Sequence, residues 1–397
     1  MTEKRSFLLL QGPPGPLFFR LAEALRERGH DVTRINLSGG DRYDWPGRAI
    51  DYRGSFSAWP TFADRIMREH RITDLLLFGD CRPYHVKAHG IAELRTVSTF
   101  VLEEGYVRPH WMTLERDGVN ARSLLSRDKK WIRSEASRLQ DEPELPGVTA
   151  SFRRRARDAY WYYHHVVTGR LRYPHYRSHR SGSIIQEGLG WSWKLVREKS
   201  RTKATQRTLE QLGEAQTFVF PLQLSGDFQV RTHSPFADMQ GAADYVIESF
   251  AAHAPRGDHL LIKKHPLDCS FFNWQRLIDR AAHRHGLVGR LHLVDGGDLE
   301  TMLKTAAGLV CVNSTSATLA LAQSKPVCTI GSAIYAIEGL THKGHLDSFW
   351  SAPRPPEPGL YDDFRLVLLD RCLIRGGLAS ESAVSNLIDS LIVRIAA

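Results

Sequence analysis

The sequence predicts an α/β protein of two doubly wound halves, with a basic, aromatic-rich helical segment between them. Three observations point there. Short continuous apolar runs, as in strands buried on both faces, alternate with stretches of helical apolar spacing. The alternation occurs twice, over residues 6–102 and 216–330, and the composition between the two is different. Polar signatures gather where the apolar runs end, which in open α/β sheets is where ligands bind.

The first run, Ser6–Leu10, ends in Gln11-Gly12-Pro13-Pro14-Gly15-Pro16, which neither a helix nor a mid-strand tolerates. Leu17, Phe18, Leu21, Ala22 and Leu25 recur at helical spacing, Gly29 stops that helix, and Asp31–Leu37 is the next strand. A helix over Phe62–Arg71 leads into the strand Asp74–Phe78, which ends at Gly79-Asp80-Cys81-Arg82. A helix from Val86 precedes a strand over Arg95–Leu102, ending at Glu103-Glu104-Gly105. Pro143 and Pro146 mark a linker. From Phe152 to Ser181 stand eight arginines, seven aromatics and one acid, Asp158, with helix expected to Gly169.

The pattern then restarts. Strands are expected at Gln216–Leu222, His259–Lys263, Leu291–Val294, Gly308–Val312 and Pro326–Ile330. Helices are expected at Ala243–Ala254, Phe272–Arg284, Leu299–Ala306, Ala317–Gln323 and, last, Glu381–Ile395. The expected divisions are a first domain over 1–120, the helical basic-aromatic segment over 121–210 attached to it, a second domain over 211–360, and a helical tail over 361–397.

Composition narrows the function. The 397 residues are 42% apolar and 24% charged, which excludes a disordered, collagen-like or coiled-coil chain. Lys+Arg number 53 and Asp+Glu 44, a formal charge of +9 that favours an anionic partner. Five scattered cysteines without a CxxC pair fit neither a disulfide framework nor a zinc knuckle, and suit a reducing compartment. The apolar run Phe7–Leu10 is too short for a signal peptide, and no run approaches the roughly 18 apolar residues of a membrane span. The expected location is cytoplasmic, or peripheral at the inner face of the cytoplasmic membrane.

Each strand end admits two readings. Gly12 and Gly15 let a backbone approach a ligand, or simply shape a strand–helix turn; the loop lacks both GxGxxG and GK[ST] spacing. Glu103 and Glu104 offer carboxylates pointing opposite ways from a strand, with Asp80 at the neighbouring end, suited to general acid/base or nucleophilic work; the plainer reading is a solvated turn. Lys264-His265-Pro266, after Lys263, can bind a phosphate or be an exposed basic turn. Asn313-Ser314-Thr315-Ser316 places hydroxyls and an amide before a helix, for anion binding or for capping alone. No histidine falls into metal-ligand spacing, so no metal site and no cofactor is expected. The arginine–aromatic segment reads as a membrane-surface helix, as a nucleic-acid contact, or as a solvated face. Nucleic acid is the weakest of these, because the polar motifs lie at strand ends and not on a basic face.

Several blocks in order carry a resemblance: GPPGPLFFRLAEALRERGHDV, GDCRPYH, EEGYVRP, PLQLSGDFQV, KKHPLD and NSTSATLALAQSKPV followed by AIYAIEGLTH. Together, over about residues 6 to 345, the chain resembles the bacterial capsule polysaccharide synthesis and export family, nearest its S-type β-Kdo transferases. The resemblance implies a GT-B-like fold, two Rossmann-like domains facing a cleft, usually metal-independent. It implies CMP-Kdo as donor and a phosphatidylglycerol-type phospholipid as acceptor, at the inner-membrane surface and among other capsule assembly proteins. Glu103, Glu104 and Gly105 match the family's acidic-pair-glycine block, His265-Pro266 its HP block whose His contacts the CMP phosphate, and Ser314, Thr315 and Ser316 its hydroxyl block. The expected roles are catalysis for Glu103, Glu104 and Asp80, nucleotide binding for Lys264, His265, Pro266, Asn313, Ser314, Thr315 and Ser316, and acceptor or sugar contacts for Gly12, Gly15, Arg82 and Gln223. Since CMP-Kdo carries Kdo in the β form, a β product implies retention, which needs a carboxylate nucleophile and a second acid/base. Two other readings stay open: a non-catalytic membrane-associated component of capsule export, and a transferase using another nucleotide sugar.

Overall fold

The computed structural model describes residues 3–140, 151–178, 190, 194, 197–224, 228–268 and 272–396. The Pro143–Pro146 linker, residues 179–181 of the basic-aromatic segment, residues 225–227 of the PLQLSGDFQV block and Cys269 lie outside them. The other four cysteines are buried thiols.

In chain order the elements are β1 (Ser6–Leu9), α1 (Leu17–Glu27), β2 (Asp31–Asn36), α2 (Gly39–Tyr43), β3 (Ile50–Asp51), α3 (Trp59–Glu69), β4 (Asp74–Phe78), α4 (Pro83–Leu94), β5 (Ser98–Glu104) and β6 (Trp111–Arg116). Then come α5 (Lys129–Ala136), α6 (Phe152–Thr168), α7 (Glu198–Leu212), β7 (Thr217–Pro221), α8 (Phe228–His233), α9 (Met239–His253), β8 (His259–Lys263), α10 (Trp274–Arg284) and β9 (Leu291–Val294). The last are α11 (Leu299–Thr305), β10 (Gly308–Cys311), α12 (Ser316–Ala322), β11 (Val327–Thr329), α13 (Leu346–Ser351), α14 (Leu360–Arg371), β12 (Leu373–Arg375) and α15 (Glu381–Ile395). They pack as two compact units: Met1–Leu125 with Leu139–His179 and Leu366–Ala397, and Ser126–Arg138 with Arg180–Arg365.

The first unit holds a seven-stranded sheet in the order β12-β6-β5-β4-β1-β2-β3. Strands β1 to β5 are parallel; β6 runs antiparallel to β5, and β12 antiparallel to β6. The parallel part is doubly wound, and its winding reverses between β1 and β4. Phe7 and Leu9 pack with Leu21, Leu25, Leu102, Leu387 and Leu391 on one face, while Leu8 and Leu10 pack with Trp59, Ala63, Leu75 and Leu77 on the other. Both faces are covered, so the strand reads as a continuous apolar run.

Strand β5 starts three residues later than expected, because Arg95 caps α4 and Thr96 turns the chain at φ 52°. It also runs two residues past its expected end at Leu102, so Glu103 and Glu104 are its last two residues, opposite Thr113 and Met112 of β6. The hairpin needs glycine at 105, since a Cβ there would lie 2.2 Å from the Trp111 carbonyl oxygen.

Helix α6 ends at Gly169, as its sequence predicts, and docks on α2. A Cβ on Gly39 would lie 2.1 Å from the His165 carbonyl oxygen, and one on Gly40 would lie 2.7 Å from the Tyr162 ring. Tyr162 is buried; its hydroxyl donates to Asp41 Oδ1 at 3.1 Å and accepts from Gln11 Nε2 at 2.7 Å. Arg34, also buried, faces Asp41 at 3.4 Å.

The second unit holds a five-stranded, all-parallel sheet in the order β11-β10-β7-β8-β9, whose winding reverses between β7 and β10. Its core gathers Phe218, Phe220, Phe250, Leu260, Ile262, Trp274, Phe349 and Trp350. The α/β reading with two Rossmann-like halves holds. Among the described residues no helix is long and apolar enough to cross a membrane.

Candidate functional site

In the first unit the predicted residues gather at the carboxyl ends of β1, β4 and β5. Asp80, just past β4, is fully buried. Its carboxylate accepts from Cys81 Sγ at 3.1 Å and from the Val119 amide at 3.4 Å, with Arg122 Nη1 3.9 Å away. Burial, then the Asp80 charge, pushes the Cys81 thiol well above its usual range, so it is protonated and no nucleophile. Arg82 Nη1 donates to the carbonyls of Gln11 at 3.2 Å and Gly12 at 3.1 Å, tying the end of β4 to the end of β1 where the winding reverses. His85 Nδ1 lies 2.7 Å from the Gly79 carbonyl, which can only accept, so Nδ1 carries the proton. Burial, with Arg82 next, pushes this imidazole down to about 3, and it stays neutral.

Strand parity separates the two glutamates. Glu103 Oε1 lies 4.0 Å from where a Gly79 Cβ would stand, on the Asp80 side. Glu104 points to the other face and accepts from Arg155 Nη2 of α6 at 2.6 Å. Behind them, buried Glu115 accepts from Tyr106, Ser123 and Cys372, and burial raises its carboxyl. The glycine loop has packing reasons of its own. Gly15 takes φ 105° and its amide donates to Asp44 Oδ2 at 2.8 Å, while a Cβ on Gly12 would lie 3.0 Å from the Phe18 ring. Burial pushes the Asp44 carboxyl up to about 8.

In the second unit Gln223 follows β7 and Asn313 follows β10, and they bond directly to each other. Ser314 Oγ meets Ser316 Oγ at 2.5 Å and accepts the Ser316 amide at 3.2 Å, and the Thr315 carbonyl accepts from Thr318 Oγ1 at 2.8 Å. These hydroxyl-block groups close the first turn of α12. At the end of β8, buried Lys263 has its ammonium pKa lowered by desolvation. Lys264 Nζ lies 3.4 Å from Asp295 Oδ2. His265 Nδ1 accepts the Leu267 amide at 3.0 Å, so in the neutral ring the proton sits on Nε2. Pro266 is exposed at the turn.

Sequence reasoning passed over several of these partners. Asp295-Gly296-Gly297-Asp298 follows β9, and the same strand-end rule singles it out. His85 stands inside a quoted block without a role. Arg155 is one arginine among eight.

Helix α6 also presents an outer face. Tyr160 is 63% exposed, Trp161 42% and, just beyond the helix, Leu171 96%. The rings of Tyr43, Tyr160, Trp161, His164 and His165 touch in a continuous cluster, and Arg153 and Arg157 are exposed on the preceding turns.

The profile of the family described as "Capsule polysaccharide biosynthesis protein" matches residues 73–378. The chain is 34% identical over 395 residues to the capsule polysaccharide modification protein LipB of Neisseria meningitidis, covering 97% of this chain and 94% of that protein. It is 34% identical over 372 residues to the capsule polysaccharide export protein KpsS of Escherichia coli, covering 92% and 94%. Among solved structures, the KpsC β-Kdo 2,7 transferase of Thermosulfurimonas dismutans is similar at 14% identity and a TM-score of 0.46, over 97% of this chain and 99% of that one. A profile match across both units, with about a third of the residues shared nearly end to end, shows that the chain belongs to the capsule polysaccharide biosynthesis protein family.

Proposed function

We propose that this protein is a retaining glycosyltransferase that moves Kdo from CMP-Kdo to a phosphatidylglycerol-type lipid, starting the linker of a capsular polysaccharide. Family membership and the motif blocks support the reading. The observation that carries it is the turn after β8. There the Leu267 amide holds His265 with its proton on Nε2, and Lys264 adds a cation beside it. A rigid N–H donor next to a cation suits a nucleotide phosphate that must depart with its charge stabilised. In this reading the nucleotide binds in the second unit, against the ends of β8 and β10.

Retention by double displacement takes one carboxylate as nucleophile and a second group as acid/base. Asp80 is fully buried, whereas Glu103 and Glu104 are half-buried. Because Glu103 and Glu104 point to opposite faces, they do not act as one pair: we assign the nucleophile to Glu103, on the Asp80 side, the second acid/base position to Asp80, and to Glu104, held by Arg155, the fixing of the strand end. The exposed rings and arginines of α6 suit an anionic bilayer carrying the acceptor, at the inner face of the cytoplasmic membrane. The relatives' names concern capsule polysaccharide modification and export, and this protein is proposed to act in that setting with other assembly proteins.

The test is transfer from CMP-Kdo to a fluorescent phosphatidylglycerol analogue, with EDTA present and the product read by mass. A gain of one Kdo is expected, with the rate reduced at least about 100-fold in Glu103→Gln, Asp80→Asn and His265→Ala. No product with CMP still bound points to another sugar or acceptor. Neither product nor CMP binding overturns the proposal.

A further inference from the structure

We propose that Lys194 is a positioning residue for the donor phosphate and that Asp295 couples it to Lys264. The inference rests on reading the turn after β8 as the phosphate site, and it concerns how that turn is held.

An ammonium has three donors and no acceptor. Lys194 Nζ lies 2.5 Å from the Pro266 carbonyl oxygen, 3.1 Å from that of Asp268 and 3.5 Å from that of His265. Three carbonyls of one four-residue turn thus converge on one cation. Their dipoles point the same negative ends at a common centre and repel unless a cation fills it. The rest of the turn is fastened as well. The Asp268 amide donates to the His265 carbonyl at 3.0 Å, and Trp274 Nε1 donates to Asp268 Oδ2 at 3.2 Å. The orientation of the His265 ring depends on the Leu267 amide, and the position of that amide depends on the turn staying closed.

Asp295 joins this turn to further cations. Its Oδ2 is 3.4 Å from Lys264 Nζ and 3.4 Å from Arg201 Nε, and its Oδ1 is 4.0 Å from Lys194 Nζ. Arg201 returns to the same place, donating from Nε to the Asp295 carbonyl at 3.2 Å and from Nη1 to the Lys194 carbonyl at 3.4 Å. Lys263, buried one residue before Lys264, is influenced by Asp295 and Asp298. Among the described residues, the cations Lys194, Lys263, Lys264 and Arg201 gather around this turn with the carboxylates of Asp268, Asp295 and Asp298. Cationic N–H donors gathered at one strand-end turn suit an anionic group. A phosphate monoester or diester has the charge and the acceptors to match them.

The experiment compares binding of CMP and of cytidine by calorimetry, so that the phosphate is the only difference. Wild-type protein is expected to bind CMP at least about tenfold more tightly than cytidine. Lys194→Met is expected to bring that preference within about threefold while leaving cytidine affinity unchanged, which a loss of folding would not do. Lys194→Gln, which keeps at most two N–H donors and no charge for the three carbonyls, is expected to act in the same direction and serves if Lys194→Met does not fold. Lys194→Arg, which keeps donors for the carbonyls, is expected to restore part of the preference. If His265→Ala loses the preference while Lys194→Met and Lys194→Gln keep it, the inference is overturned and the functional reading stands. If the wild type shows no preference for CMP, both are overturned.

Discussion

Gln223 and Asn313 hold each other across the carboxyl ends of β7 and β10. Gln223 Nε2 donates to Asn313 Oδ1 at 2.9 Å, and the Asn313 amide donates to Gln223 Oε1 at 3.2 Å. Asn313 Nδ2 then reaches the Gln229 carbonyl at 3.0 Å, fixing which way its amide points. The pair stands where the winding of the second sheet reverses, the place at which such sheets bind ligands.

Gln223→Ala removes both bonds and leaves the buried Asn313 amide and Oδ1 without that partner. A loss of about 1–3 kcal/mol of folding stability is expected, read from urea unfolding of the variant against the wild type. A change within a few tenths would mean that the latch is replaced by water and holds nothing.

His85 gives a pH signature with a definite sign. The folded protein keeps this ring neutral down to about 3, because of burial and then Arg82, while in the unfolded chain it takes up a proton below about 6.5. The unfolded state therefore binds more protons in that window, and stability falls as pH drops from about 6.5 towards 3, by about 1.4 kcal/mol per unit. His85→Asn keeps an N–H donor for the Gly79 carbonyl but does not titrate. Its stability between about pH 4.5 and 6 should depend on pH less steeply, by about that same slope. Equal slopes in the two proteins would show that the ring is protonated in the fold.

The outer face of α6 tests the membrane part of the proposal. Tyr160 and Trp161 are exposed beside Arg153 and Arg157, whereas Tyr162 on the inner face is buried against Asp41 and Gln11. Tyr160→Ser with Trp161→Ala should lower binding to phosphatidylglycerol vesicles about tenfold in co-sedimentation, with little change in thermal stability. Wild-type binding to neutral phosphatidylcholine vesicles should already be weak. Undiminished binding by the double variant would remove this face as the contact.

Much of this protein is legible in its sequence because the signals are local. Apolar runs such as Ser6–Leu10 and Asp74–Phe78 show strands covered on both faces, and glycine and proline mark where they stop. The motifs at those stops, from GDCR to KKHP, follow from chain order alone. Parity along a strand even requires that Glu103 and Glu104 point apart.

Other features depend on residues far apart in the chain, and there local pattern carries no information. Strand β12 joins the first sheet beside β6 from more than 250 residues away. Arg155 pairs with Glu104 from α6, 51 residues further along the chain. Lys194 reaches a turn some 70 residues downstream, closing it because three carbonyls need one cation. Composition and periodicity determine which segments become strands and helices. Only packing brings a charge and its partner together, because electrostatic and hydrogen-bond complementarity belongs to the neighbours in space and not in sequence.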